Sequence, residues 1–147
     1  MLQLAFYSWV LYMQVGRRIA VLGGGSFGTA IANIIADNQH HVRLWLRNAE
    51  VAQAINTTHI NSRYFPDFVL NPNVRASTEL AEAVKDADYI FVAVPSHSCR
   101  SVAKLLKTCI GEKAALISLT KGIEAESFCL MSQILEQELP DHPIGVM

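Results

Sequence analysis

The sequence is short of the features that define several protein classes. It has three cysteines, Cys99, Cys109 and Cys129. An odd count without a C-x-x-C pair excludes a disulfide framework and a zinc ribbon. It leaves reduced, packed thiols of the kind found in a cytoplasm. There is no excess of charge of either sign, with 12 Lys and Arg against 13 Asp and Glu in 147 residues. No basic stripe therefore argues for nucleic acid, and no acidic tail argues for disorder. The five histidines, His40, His41, His59, His97 and His142, show no H-E-x-x-H spacing, so no metal is expected. No apolar run reaches membrane-spanning length. Residues 1–15 are almost uncharged, but they fall short of the ~20 residues that a spanning helix needs. They also lack a basic n-region and an A-x-A-like cleavage site, so they make a poor signal peptide.

About half of the chain is apolar (51%), enough for one domain with a real core. From Arg18 onward, strand-like and helix-like patterns alternate. Ile19, Ala20, Val21 and Leu22 form a short apolar run that ends in glycines, as a buried parallel strand does. Phe27, Ala30, Ile31, Ile34 and Ile35 then recur at helical spacing. Residues 41–46 predict a second strand and residues 49–55 a second helix. Residues 57–72 are polar, carry two prolines and read as a long irregular excursion. Residues 74–76 predict a third strand. Ser77 or Thr78 is expected to cap a helix bearing Leu80, Val84 and Ala87. Residues 89–94 are the clearest buried strand, and Pro95 stops it. Val102, Leu105, Leu106 and Cys109 mark the next helix, and residues 114–119 the next strand. Phe128, Met131, Leu135 and Leu139 mark a further helix that Pro140 ends, and residues 144–147 begin another strand.

Strict β-α alternation with short connections predicts an α/β fold, a doubly wound parallel sheet with helices on both faces. Residues 17–147 are expected to form this one domain, incomplete at its C-terminal end, with residues 1–16 as an N-terminal extension outside it. Met13 lies just before the first strand, and residues 1–12 read as an upstream extension or a mis-assigned start. Deleting them is then expected to leave solubility and ligand affinity unchanged. The chain ends in a nascent strand and reads as a piece of a longer protein.

Residues 23–28, Gly-Gly-Gly-Ser-Phe-Gly, contain G-x-G-x-x-G at the turn from the first strand into the first helix. Gly23 permits the tight turn, Gly25 lets backbone approach a pyrophosphate, and Gly28 lets the helix pack closely on the sheet. The helix N-terminus offers free N–H groups and a partial positive charge to phosphates. Ser26 adds a hydroxyl, and Phe27 lines the entrance. The position that would carry an Asp or Glu for the ribose hydroxyls of NAD is instead Arg47, about 19 residues beyond Gly28. An arginine there suits the 2′-phosphate of NADP, so NADP or NAD is the expected cofactor.

Pro95, Ser96 and His97 follow the central strand, and Lys121 follows the next one. Ligands in doubly wound folds bind outside the carboxyl ends of strands, which puts the Pro95 turn near the reactive end of a cofactor. Ser96 is read as a helix N-cap and His97 as a surface group. Lys121 can hold a phosphorylated or oxyanionic small-molecule substrate, or it is an ordinary exposed lysine.

The chain resembles the bacterial type of NAD(P)-dependent glycerol-3-phosphate dehydrogenase over residues 17–147. The resemblance rests on residues 23–32, on Val42 to Arg47 (VRLWLR), on Tyr64-Phe65-Pro66, on Val94-Pro95-Ser96-His97, and on Thr120-Lys121-Gly122-Ile123-Glu124. The family often has Leu where Phe65 stands, a change that keeps bulk. The resemblance implies a Rossmann-type domain that interconverts sn-glycerol 3-phosphate and dihydroxyacetone phosphate, in the cytoplasm, for phospholipid synthesis. It implies cofactor contacts at Ser26, Phe27, Arg47 and Tyr64, with Lys121 touching both cofactor and substrate. It also implies that a glycine-containing turn, the general-base lysine and the substrate-phosphate arginine lie beyond residue 147, the latter two in a helical C-terminal domain. No catalytic residue is then expected within this chain, which alone would be inactive, and the full-length protein could be a homodimer. Two other readings compete: another dehydrogenase of β-hydroxyacid or sugar-nucleotide type, and a stand-alone NAD(P)H-sensing module.

Overall fold

In a computed structural model, which describes residues 16–147, the alternating pattern resolves into six strands and five helices. The order is β1 (Arg18–Leu22), α1 (Ser26–Asp37), β2 (His41–Trp45), α2 (Ala49–Thr58), β3 (Val74–Ser77), α3 (Leu80–Val84), β4 (Tyr89–Val92), α4 (Ser96–Leu106), β5 (Ala115–Ser118), α5 (Met131–Glu138) and β6 (Ile144–Val146). All pairings are parallel, and the sheet order is β3-β2-β1-β4-β5-β6. The order reverses between β1 and β4, and a crevice opens above the strand ends at such a switch point. The expected N-terminal extension, residues 1–16, lies outside the described residues except for Gly16.

Two apolar clusters follow from the period-two alternation of the strands. Ile19, Val21, Val42, Leu44 and Val74 face α1 and α2, where Ala32, Ala36, Val51 and Ile55 close over them. On the other face, Ala20, Leu22, Ile90, Val92 and Leu116 pack under α3, α4 and α5 through Val84, Val102, Leu106 and Ile134. Burying each such Val, Leu or Ile contributes ~1.5–3 kcal/mol, so the sheet is held from both sides.

Helix α1 turns the opposite way from the expectation. Its buried residues are Gly28, Thr29, Ala32, Asn33 and Ala36, all small or polar. Phe27 and Ile34 are exposed, and Ala30, Ile31 and Ile35 are only half-buried. The reason is distance. The helix starts directly on the glycine turn, and only small side chains fit between it and the sheet. Its two buried polar groups find partners in the excursion, as buried polar groups must: Thr29 Oγ1 accepts from Asn61 Nδ2 at 2.8 Å, and Asn33 Oδ1 accepts from the Asn71 N–H at 2.7 Å.

Four smaller expectations are corrected. Ser77 lies in β3 and supports α3 from outside by accepting the Glu79 N–H at 3.1 Å; Glu79, not Ser77 or Thr78, is the N-cap. Pro95 is the N-cap of α4, and Ser96 is its first residue. On that helix Cys99 and Ala103 join Val102 and Leu106 in the core, while Leu105 points outward. Phe128 precedes α5 with a left-handed φ of 58° and is 79% exposed.

The reversed face of α1 has a measurable consequence. Ile90→Ala is expected to lower unfolding free energy by ~2–5 kcal/mol, as for large-to-small core changes. Ile34→Ala, at a residue 57% exposed, should cost no more than ~0.5 kcal/mol. Urea unfolding of both variants checks this, and a large loss at Ile34 would restore the original orientation.

Candidate cofactor cleft

The first strand delivers its chain into a turn that only glycine tolerates. Gly23 has φ 121°, and a Cβ there would stand 2.4 Å from the carbonyl oxygen of Ala93 at the end of β4. A Cβ on Gly28 would stand 1.9 Å from the Gly23 oxygen. Packing within the protein thus accounts for both glycines. Gly25 differs. Its φ of −73° is ordinary, and a Cβ there would meet no protein atom within 4 Å. Gly25 is also the N-cap of α1. It has no side chain to satisfy the first N–H groups, and no acidic residue lies in the first turn. The helix end therefore presents unmet donors and its positive dipole end to open space.

That space is a cleft of about 670 Å³ over the carboxyl ends of β1, β2, β4 and β5. It brings together the residues that the sequence offered for cofactor or substrate contact. Gly23, Gly25, Ser26, Phe27 and Gly28 form its floor at the helix end. Arg47 enters just beyond β2, Tyr64 from the excursion, Pro95 beyond β4 and Lys121 beyond β5. His97 is exposed and lies outside it.

The electrostatics are one-sided. Arg47, Arg63 and Lys121 all line the cleft, and no carboxylate does. None of the three cations forms an ion pair or a side-chain hydrogen bond with the described residues, whereas Arg18 and Arg100 both do. In a chain of net charge −1, this concentration suits a multiply charged anion.

Arg63 was not foreseen, because it sits in a stretch without periodicity. Residues 61–68 form a loop closed at its neck by an antiparallel bridge between Ile60 and Val69. Asn61, fully buried, fixes this loop. Its Nδ2 donates to Gly24 O at 3.2 Å and to Thr29 Oγ1 at 2.8 Å, and its Oδ1 accepts the Arg63 N–H at 3.3 Å.

The segment bearing Lys121 is anchored on both sides. Thr120 Oγ1 donates to Val94 O at 2.8 Å and to Val92 O at 3.1 Å. Glu124 receives both forks of Arg100, Nε at 2.8 Å and Nη2 at 2.7 Å, and Arg100 Nη1 reaches Glu138 on α5 at 2.7 Å. The Arg100 hydrogen bonds, and after them one from Ser127, hold the Glu124 carboxyl down to about 2. The guanidinium itself is raised by the same carboxylates, Glu124 first. The cysteines are free. Burial pushes the Cys99 thiol up to about 11 and raises that of Cys109, which makes both poor nucleophiles at neutral pH.

A parallel sheet in this order, with a glycine turn leaving β1 for a cation-lined cleft at the switch point, defines a Rossmann-type domain. Residues 18–147 match the family described as NAD-dependent glycerol-3-phosphate dehydrogenase N-terminus, and the chain belongs to that family. Among curated relatives, the glycerol-3-phosphate dehydrogenase [NAD(P)+] of Acinetobacter baumannii is 54% identical over 130 residues, 88% of this chain and 36% of that protein. The corresponding protein of Teredinibacter turnerae is 52% identical, over 88% of this chain and 38% of its own length. The crystal structure of glycerol-3-phosphate dehydrogenase from Coxiella burnetii superposes with a TM-score of 0.82 at 29% identity, covering 89% of this chain and 40% of that one. The chain thus spans little more than a third of the curated relatives it matches.

Acid titration tests the Arg100–Glu124 anchor. A carboxyl held below its ordinary value contributes stability that is present above pH ~4.5 and lost as the pH falls toward 2. Glu124→Gln should therefore melt below the native chain at pH 6, and the two melting temperatures should converge near pH 2. A constant gap across that range would show that the ion pair contributes nothing.

Proposed function

We propose that this chain is the cofactor-binding domain of an NAD(P)-dependent sn-glycerol-3-phosphate dehydrogenase, and that its cleft holds the dinucleotide. The observation that carries this reading is Gly25. Neither backbone conformation nor packing within the protein requires a glycine there, yet its missing side chain keeps the end of α1 open to the cleft. A pyrophosphate drawn to that helix end would need the same space. The absence of any carboxylate among the residues lining the cleft, together with three unpaired cations, supports an anionic occupant. Family membership supports a nicotinamide dinucleotide.

In this reading Ser26, Phe27, Gly23 and Gly28 form the phosphate-binding turn. Arg47 and Tyr64 line the ribose and adenine end, and Pro95 borders the nicotinamide end. Lys121, held in place by Thr120 and Glu124, offers its ammonium to the phosphate or carbonyl oxygen of dihydroxyacetone phosphate. The bound cofactor supplies or accepts the hydride that interconverts dihydroxyacetone phosphate and sn-glycerol 3-phosphate. The general base that handles the hydroxyl proton belongs to the part of the relatives that this chain does not span, so the chain alone binds cofactor without turnover. The product would serve glycerophospholipid synthesis in the cytoplasm. Among the described residues no helix is long and apolar enough to cross a membrane.

Calorimetric titration with NADPH and NADH tests the reading. The native chain should bind, and Gly25→Val should lose at least tenfold in affinity while its unfolding free energy in urea falls by no more than ~1 kcal/mol, the cost of a poor N-cap. A Gly25→Val variant that binds normally would remove the helix end from the site. In the same titration Arg47→Asp should weaken NADPH more than NADH, and equal weakening would refute a 2′-phosphate role for Arg47.

A further inference from the structure

The cleft holds a cation that its motifs do not account for. Arg63 lies at the tip of the 61–68 loop, and its guanidinium carbon is 5.6 Å from the centroid of the Tyr64 ring. That stacking, within cation–π range, is its interaction among the described residues, and no acidic or carbonyl oxygen occupies its donors. We propose that Arg63 is a specificity-determining residue. Together with Arg47 it brackets a phosphate monoester on the adenosine ribose, so that the cleft prefers NADP(H) to NAD(H). The proposal rests on the reading of the cleft as a dinucleotide site given above.

Three observations support it. The first is a count of charge. A pyrophosphate linkage carries two negative charges, and the end of α1 already faces it with unmet N–H groups. With Lys121 given to the substrate, two further unpaired cations, Arg47 and Arg63, remain beyond what that linkage needs. They match a ligand with an added monoester, which brings about −1.5 to −2 at neutral pH. The second is the lack of a carboxylate. A ribose with both hydroxyls free is held by an acidic acceptor after the second strand, and that place is taken by Arg47. The third is rigidity. Arg63 is not on a free loop: the Ile60–Val69 bridge closes the neck, the Leu70 N–H meets His59 O at 2.7 Å, and the Phe65 N–H meets Asn61 O at 2.8 Å. Asn61, with no solvent exposure, fastens the loop to Gly24 and Thr29 at the phosphate-binding turn itself. The backbone that carries Arg63 is thereby fixed at the cleft before any ligand arrives, and a planar guanidinium there suits two phosphate oxygens at once.

The test is a titration of the chain with NADPH and with NADH, for the native protein and for Arg63→Ala, Arg63→Lys, Arg47→Ala and the double alanine variant. Arg63→Ala should weaken NADPH at least tenfold and NADH less than twofold, and Arg63→Lys should recover part of the loss. The double variant should lose less than the product of the two single losses, because both cations serve one group. Thermal melting should be unchanged at this exposed position, so a loss of binding cannot be a loss of fold. Equal weakening of both cofactors would place Arg63 on the shared part of the ligand and overturn the proposal, as would no weakening of either. If the native chain binds neither cofactor, the dinucleotide reading itself falls and this proposal falls with it. Intact native binding without an NADPH-selective loss overturns the role of Arg63 alone.

Discussion

A helix can follow a strand as tightly as α1 follows β1 only if nothing projects from its third residue. A Cβ on Gly28 would overlap the carbonyl oxygen of Gly23, and one on Gly23 would overlap that of Ala93. These contacts join the start of α1 to the ends of the two central strands. They set how near the helix lies to the sheet, and so which of its side chains can face inward. Small residues lie underneath, Phe27 and Ile34 are turned out, and Ile31 and Ile35 lie half-buried at the sides. The same closeness brings the helix end over the mouth of the cleft, where its dipole and free N–H groups act on whatever lies there. The remaining walls of the cleft are loops that leave the ends of β2, β4 and β5, together with the excursion before β3. Each is fixed by contacts that run back to this junction or to the neighbouring strand.

Much of this was legible in the sequence, for reasons that can be stated. Strands buried on both faces leave short apolar runs, and those at residues 19–22 and 89–94 needed no tertiary information. The glycine spacing at 23, 25 and 28 encodes a turn whose geometry is local. Residues at the ends of parallel strands converge by topology alone, which is why Arg47, Pro95 and Lys121 line one cleft. The face of α1 was misread because periodicity shows where large apolar residues recur, whereas depth of packing against a glycine turn decides which face is buried. Phe128 was misread because apolar spacing carried a helix one turn too far, past a residue with left-handed backbone. Arg63 and Asn61 left no sequence signal. Their importance comes from contacts made across more than thirty positions, between Asn61 and the turn at Gly24 and Thr29, and no local pattern encodes those.

The cleft and the loop that bears Lys121 are anchored by different chemistry. The excursion is fixed by neutral hydrogen bonds from a buried amide, which are insensitive to pH. The Lys121 segment is fixed by a bidentate Arg100–Glu124 pair at the edge of solvent, which depends on an ionised carboxylate. Because that carboxyl is held so low, the pair stays ionised well below neutral pH. Cys99 and Cys109, both raised in pKa by burial, do not line the cleft.

The bridge between Ile60 and Val69 also bears on how such a domain diversifies. It separates the 61–68 loop into a neck that belongs to the fold and a tip that does not. Ser62, Arg63 and Tyr64 are exposed, while Asn61 below them is wholly enclosed. Side chains at the tip can be exchanged without disturbing the enclosed amide or the strands beneath it, because Asn61 meets the tip through the backbone N–H groups of Arg63, Tyr64 and Phe65. The surface chemistry of the tip is thus free to change while the glycine turn and its helix stay constrained.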